Sequence, residues 1–398
     1  MTSRERMLAA MNNRVPDRVP VAPDISTYIP LKMSGLTGRD FWMAPRGISY
    51  WQAYLNAADH FRIDAWTGPA FSLPTINEPA AAEWQTSSEV DETRDALVQT
   101  RAVRTPDGEL REVRICHRGD QAATSEKLIK DLTRDFRAFK HTQPLPRDLD
   151  RKTLESFRSA CQEREYAFGV SVSYPGFHMW NCWVEGGIQT LSYAEMDRPG
   201  ILQEWFEWDL ERGTRLMELA LQADPDYILF GGSGTTTLAS PALAEKYAIP
   251  ALKRWSRMAK EAGVPTMLHS CGRNRALADL LVEHTDVGML NPLETPPMGD
   301  IDLAEIKLAH GRWLAFMGNL HTTDVMLNGT PALVRQKALE AMRDAGQNGG
   351  FILSTGDQCG RDTPYENIFE MVRVATEFGA YPLDQDRIAE ELRRMEAN

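Results

Sequence analysis

Cysteine is scarce in this 398-residue chain: there are five, an odd number at irregular spacing, and none stands in a Cys-x-x-Cys pair. That excludes a disulfide framework and a paired-cysteine structural zinc site, and it fits a reducing compartment. Positive charge is also in deficit. Lysine and arginine number 44 against 56 aspartates and glutamates, a net charge of −12, so phosphate is repelled and nucleic acid is not expected as a partner. No apolar run reaches the ~18 residues of a membrane-crossing helix. The opening stretch, Met1 to Arg18, is charged where a signal peptide would be apolar. These absences lead to the expectation of a cytoplasmic protein with no membrane partner. The run Gly231-Gly-Ser233-Gly-Thr-Thr-Thr237 lacks the lysine of a P-loop and the GxGxxG spacing. It reads as a backbone turn lining the mouth of a site. No internal repeat and no low-complexity tract is found.

What is present is a long alternation of strands and helices. From residue 150 onward, strand patterns such as Tyr166–Val172, Tyr227–Phe230 and Trp313–Asn319 alternate with helices such as Pro199–Ala223 and Pro241–Ala262. Regular alternation of this kind predicts a parallel sheet closed as a (β/α)8 TIM-type barrel, an α/β fold. The N-terminal third contributes Val19–Asp24 as a first strand and Asp40–Ala58 as a helix broken near Pro45. Ser3 is read as the cap of the first helix. Residues 83–127 change character: two polar/apolar alternating runs flank Pro106-Asp-Gly108, which predicts an antiparallel hairpin inserted in the barrel. The expectation is one domain over residues 1–398.

Two short runs carry the metal chemistry. Thr266-Met-Leu-His269-Ser-Cys271-Gly272 and Phe351-Ile-Leu-Ser-Thr-Gly-Asp357-Gln-Cys359-Gly360 are apolar strands that break into glycine just after placing ligand-type residues. Active sites of such barrels gather at the carboxyl ends of the strands. Residues i and i+2 of a strand share a face, so His269 and Cys271 can converge. With Cys359 they form a soft N/S set suited to a catalytic zinc, with one position left open. Glu294, at the end of Val287–Glu294, is the candidate for that position, with Asp357 or water as alternatives.

Other strand ends supply further candidates. Asp24, Asn319 and His321 stand where acid/base groups or substrate donors gather, and Tyr28, Tyr174, Trp180 and Ser233 are placed as substrate wall. His178 and Cys182 are four apart, as a helical metal pair would be, but with no third ligand near they are read as pocket wall. Cys116 and Cys161 are read as inert.

These residues resemble the uroporphyrinogen decarboxylase superfamily and, within it, the zinc-dependent, corrinoid-linked methyltransferases. The resemblance runs through Arg4-Glu-Arg-Met-Leu8 with Pro16-Asp-Arg-Val-Pro20, Leu238-Ala-Ser-Pro241 with Tyr247 to Pro250, Gly318-Asn319-Leu320, Gly329-Thr-Pro331, and Gly349-Gly-Phe-Ile352 to Asp362-Thr-Pro364-Tyr-Glu-Asn367. The decarboxylases hold substrate carboxylates with N-terminal arginines and use no metal. Here Ala22 to Pro30 has no arginine, while the His-x-Cys pair and the late cysteine are similar to the methyltransferase zinc signature. Cobalamin-independent methionine synthase uses a comparable His, Cys, Glu, Cys set, which supports Glu294.

The resemblance implies Zn2+, a corrinoid (cobalamin) carried by a partner protein, and a small methylated substrate. An aromatic wall that includes Tyr28, Trp66, Phe177, Trp180 and Trp183 suits an aryl methyl ether. The alternatives are a methylcorrinoid:thiol methyltransferase and a metal-free decarboxylase. A non-enzymatic carrier ranks last, because no Asp-x-His-x-x-Gly motif is present. A homodimer is compatible with the sequence, which does not set the oligomeric state.

Overall fold

Twelve strands and sixteen α-helices are described over residues 1–397 of a computed structural model. The early strands are peripheral. β1 (Thr75–Asn77) pairs antiparallel with β6 (Pro146–Leu149). Between them β2 (Glu83–Asp91), β3 (Ala96–Thr105), β4 (Gly108–His117) and β5 (Ala123–Glu126) form an antiparallel sheet in sequence order. The insertion is therefore four strands and not a single hairpin. Its extra turn, Glu92 to Asp95, carries no glycine or proline, and Asp95 itself supplies the left-handed residue at φ 44°. A carboxamide or carboxylate side chain tolerates that conformation, so the composition signal was weak. Across β3 and β4, Arg101 pairs with Glu112 at 2.8 Å and lies over Trp84 of β2 at 4.1 Å, which ties the three strands together.

The barrel sheet follows. β7 (Gly169–Ser173), β8 (Tyr227–Gly231), β9 (Thr266–His269), β10 (Met289–Asn291), β11 (Ala315–Leu320) and β12 (Phe351–Thr355) run parallel, each beside the next. They are almost wholly buried, as strands covered on both faces must be. Closure comes from the N-terminal third. Val21 bridges Leu353 of β12 in parallel, Asp64 N–H donates to Val21 O, and Ser72 bridges Ser171 of β7. The Thr67 hydroxyl, which accepts from Gly169 N–H at 3.0 Å, completes the ring. The predicted TIM-type barrel is present, with its first two staves reduced to extended segments. Phe61 closes the preceding helix, which ends where Arg62 turns left-handed.

The helices are α1 (Ser3–Met11), α2 (Tyr28–Ser34), α3 (Gly38–Trp42), α4 (Tyr50–Phe61), α5 (Leu132–His141), α6 (Arg151–Glu163), α7 (Phe177–Trp180), α8 (Gly187–Asp197), α9 (Pro199–Gln222), α10 (Pro241–Tyr247), α11 (Ile249–Glu261), α12 (Arg275–His284), α13 (Leu303–His310), α14 (Pro331–Ala341), α15 (Tyr365–Phe378) and α16 (Gln385–Glu396). Thr2, not Ser3, caps α1, and Glu5 returns the bond to complete a capping box. The expected helix over 241–262 is two helices. Pro250 has no N–H to donate, so the chain restarts at Ile249 with proline in its first turn.

Candidate metal centre

The last residue of β9 is His269, and its strand neighbour across the β9–β10 ladder is Asn291. That pairing sets the imidazole. His269 Nδ1 lies 2.6 Å from Asn291 Oδ1, while Asn291 Nδ2 donates to Met317 O at 3.2 Å. The amide nitrogen is thus committed to a carbonyl, so the amide oxygen must face the ring and Nδ1 must carry the proton. The Nε2 lone pair is left free, and it faces Cys271 Sγ at 3.2 Å. Partnering one ring nitrogen so that the other can ligate is the arrangement found around metal-binding histidines.

Beyond β9 the chain turns sharply. Ser270 donates its hydroxyl to Thr235 at 2.9 Å, and Gly272 sits at φ +89° against the Thr237 side chain, where a Cβ would collide. From the other side of the barrel, the loop after β12 brings Asp357. Ligand atoms of His269, Cys271 and Asp357 all lie within 4.8 Å of one another, the one such group found among the described residues. Burial pushes the Cys271 thiol upward, Asp357 adds to that, and the Ser233 hydroxyl opposes it.

Cys359 and Glu294, expected to complete the ligand set, stand outside this trio. The reason for Cys359 lies in the loop: Thr355 Oγ1 donates to Asp357 O at 2.6 Å and Cys359 N–H donates to Asp24 O at 2.7 Å. The turn so formed presents Asp357, and Cys359 is fully buried behind it, its thiol pushed up by burial. Glu294 is buried and its carboxylate accepts the N–H of Gly272, so it holds the loop that carries Cys271. Its pKa is raised by burial and by Asp357, against the pull of that N–H.

The remaining candidates fall around the trio in different ways. Asp24 is buried, accepts from Ser26, and is raised by burial and by the charge of Asp357. His321 uses Nδ1 to accept from Thr323 N–H and Asp324 N–H at 3.2 and 3.0 Å, capping the turn that follows β11. Its Nε2 therefore carries the proton. His321 and Asn319 share a small cavity with Glu294 and Gly356. The Tyr174 hydroxyl pairs with Thr235 at 2.6 Å, one step from Ser270. Trp180 is fully buried, stacked on Trp205 at 5.3 Å, and donates to Asp209, so it faces another cavity and not the trio. Tyr28 opens α2, half-buried, beside Thr27, whose hydroxyl accepts from both Gln358 and Gln121. The Trp66 ring lies 5.5 Å from that of His269, and its buried N–H has no partner. Sequence reasoning missed Asn291 and Gln358 as supports. The only trace of Asn291 was its place at a strand end before Pro292.

Residues 214–378 match the family model for uroporphyrinogen decarboxylase (URO-D). The match covers less than half of the chain, and within it the chain is similar to that family. The matched segment runs from α9 to the end of α15 and so contains all three members of the trio. Among solved structures, a methyltransferase from Methanosarcina mazei is similar over 95% of this chain and 99% of its own, at 16% identity and a TM-score of 0.63. The 3-keto-D-glucoside 4-epimerase YcjR of E. coli covers 62% of this chain and 94% of its own at 13% identity, but its TM-score of 0.34 carries no argument. No curated protein matches the chain in sequence.

Proposed function

We propose that this URO-D-type barrel is a zinc-dependent methyltransferase that moves a methyl group from a small methylated compound to a corrinoid held by a partner protein. The observation that carries the reading is the convergence of His269, Cys271 and Asp357, with the imidazole already locked by Asn291. One imidazole, one thiolate and one carboxylate suit zinc, and three protein ligands leave room for a reacting atom. The donor chemistry fits. A buried thiol and two buried carboxyls, Glu294 and Asp24, are all raised by their surroundings, and a divalent cation is the charge that would relieve them. Zinc held there would supply Lewis-acid polarisation of the heteroatom that bears the methyl group.

The protein's own groups have separable tasks in this reading. Asn291 fixes the tautomer of His269, and Glu294 fixes the Cys271 loop. Trp66 covers the imidazole, excludes water, and offers an apolar face and an N–H to a flat substrate such as an aryl methyl ether. His321 holds a proton at Nε2 beside the Glu294–Asn319 cavity, a donor for the demethylated heteroatom. The corrinoid partner enters from the family resemblance alone; the similar Methanosarcina mazei protein, a methyltransferase, bears only on the methyl transfer.

A second reading, a metal-free decarboxylase, is favoured only by the description of the matching family model. Metal content separates the two. The expected result is about one zinc per chain in wild type, lost in His269→Ala together with methyl transfer to a Co(I) corrinoid. Zinc-free wild-type protein, or transfer surviving in His269→Ala, would sink the proposal.

A further inference from the structure

A second cavity, of about 520 Å³, lies between α9, the α5–β6 connection and the end of β7. None of the metal trio lines it. Its walls are unusually aromatic, with Phe139, Trp183, Trp205 and Trp208, and its polar groups include Asp209 and Arg212 of α9. The volume falls in the range of small-molecule sites, which are mostly apolar with few polar groups.

The two charged residues are not equally satisfied. Asp209 accepts from Trp180 Nε1 at 2.6 Å. Arg212 has its guanidinium carbon over the Trp208 ring, 4.8 Å from the ring centre, and its N–H groups form the edge. On that edge Nε is buried without a partner, and Nη2 has only a 3.5 Å contact to Pro144 O. Asp209 acts on it at a distance and gives it no hydrogen bond. Burial without an adequate anion pulls the arginine below its ordinary value. A guanidinium edge with a free Nε–H and a weakly held Nη2–H is built for a carboxylate, and a buried charge left unpaired is costly. A cationic ligand would meet Arg212 itself, which covers the Trp208 ring; Asp209, with one oxygen bonded to Trp180 Nε1, is the competing group that an ammonium probe tests.

We infer that this cavity binds an organic monocarboxylate with a flat apolar body, its carboxylate on the Arg212 edge and its body against Trp183 and Phe139. The site is independent of the metal trio, and the inference stands whether or not the protein transfers methyl groups. Tyr174, which lines the cavity and bonds to Thr235, is the wall between the cavity and the Ser270–Cys271 turn.

Titration calorimetry on the full chain tests it, with phenylacetate, benzyl alcohol and benzyltrimethylammonium as probes of equal ring size. Phenylacetate is expected to bind one to one, benzyl alcohol at least ~10-fold more weakly, a loss of ~1.4 kcal/mol for removing the charge. Arg212→Gln should weaken phenylacetate by a similar factor with zinc content unchanged, and Arg212→Lys should weaken it less. Trp183→Leu, at the half-buried wall, serves if Arg212→Gln does not fold, and should also weaken phenylacetate. The inference is overturned if phenylacetate gives no binding heat, if benzyl alcohol equals it, if the ammonium binds more tightly, or if a folded Arg212→Gln binds as wild type does.

Discussion

His269 illustrates how much of the site is decided by single contacts. Its Nε2 lone pair is free only because Asn291 takes the other nitrogen, and Asn291 can do so only because Met317 O takes its amide. Asn291→Ala should therefore lower zinc affinity by about 10–100-fold, the usual cost of losing such a support, measured by competition with a chelator while circular dichroism stays native. Asp357 and Cys359 give a sharper comparison. The loop presents Asp357 to His269 and Cys271 and buries Cys359, so Asp357→Ala should cost more than about tenfold in zinc affinity and Cys359→Ser less. Elemental analysis of the two purified variants decides this. The reverse order would mean that the loop after β12 rearranges to a His, Cys, Cys set. At this scale the sequence was informative for His269 and Cys271, because i, i+2 spacing at a strand end is a local property. It did not place Asp357 beside that pair, because the turn between Thr355 and Cys359 depends on bonds to Asp24 and within the loop.

Elements tell a similar story of local signals with tertiary exceptions. Strands β7 to β12 were legible as short apolar runs ending in turns, and helix starts at Pro199, Pro241 and Pro331 were legible from proline in the first turn. The break at Ala248 was missed although Pro250 marks it, because the apolar periodicity continues through it. Gly213 shows what periodicity does not show. It lets α9 approach α11 so closely that an added Cβ would run into the Trp255 ring, whose Nε1 donates to Thr214 at 3.0 Å. Gly213→Ala gains helix propensity but forces that ring to move. Overpacking of this kind costs about 1–3 kcal/mol, and urea unfolding followed by tryptophan fluorescence should show the loss. A neutral or stabilising result would mean that the α9–α11 contact is looser than its geometry implies.

For the molecule as a whole, the fold buries one histidine in its neutral form. His178 in α7 is buried, with its ring 4.4 Å from that of Tyr174, and its Nε2 has no partner. Burial pulls its pKa down from 6.5 to about 3. Above pH 6.5 the imidazole is neutral in both folded and unfolded chains, and this group adds no pH dependence. As pH falls from 6.5 toward 3, the unfolded chain takes up the proton and the folded one does not, so stability falls by up to ~1.4 kcal/mol per pH unit from this residue. Denaturant midpoints between pH 7 and 4.5 should fall more steeply in wild type than in His178→Gln. Equal slopes in both would show that the ring has access to a proton acceptor or to water in the folded state.

The sequence alone determined the properties that depend on neighbours a few residues apart. These are the alternation that makes an α/β barrel, the strand ends where ligands gather, the His269–Cys271 pair and the location of the insertion. Tertiary structure decided what depends on partners far along the chain. It closed the barrel through Val21, in the segment read as the first strand, and through Ser72, each held by a single bridge to β12 or β7. It also set Asp357 beside His269 and Cys271 with Cys359 outside that trio, made the Glu294 carboxylate an acceptor for Gly272 N–H, and left Arg212 Nε without a partner in an aromatic cavity. The physical reason is the same in each case. A side chain's chemistry is set by its residue type, but its free lone pairs, protons and charges are whatever the rest of the fold leaves unsatisfied.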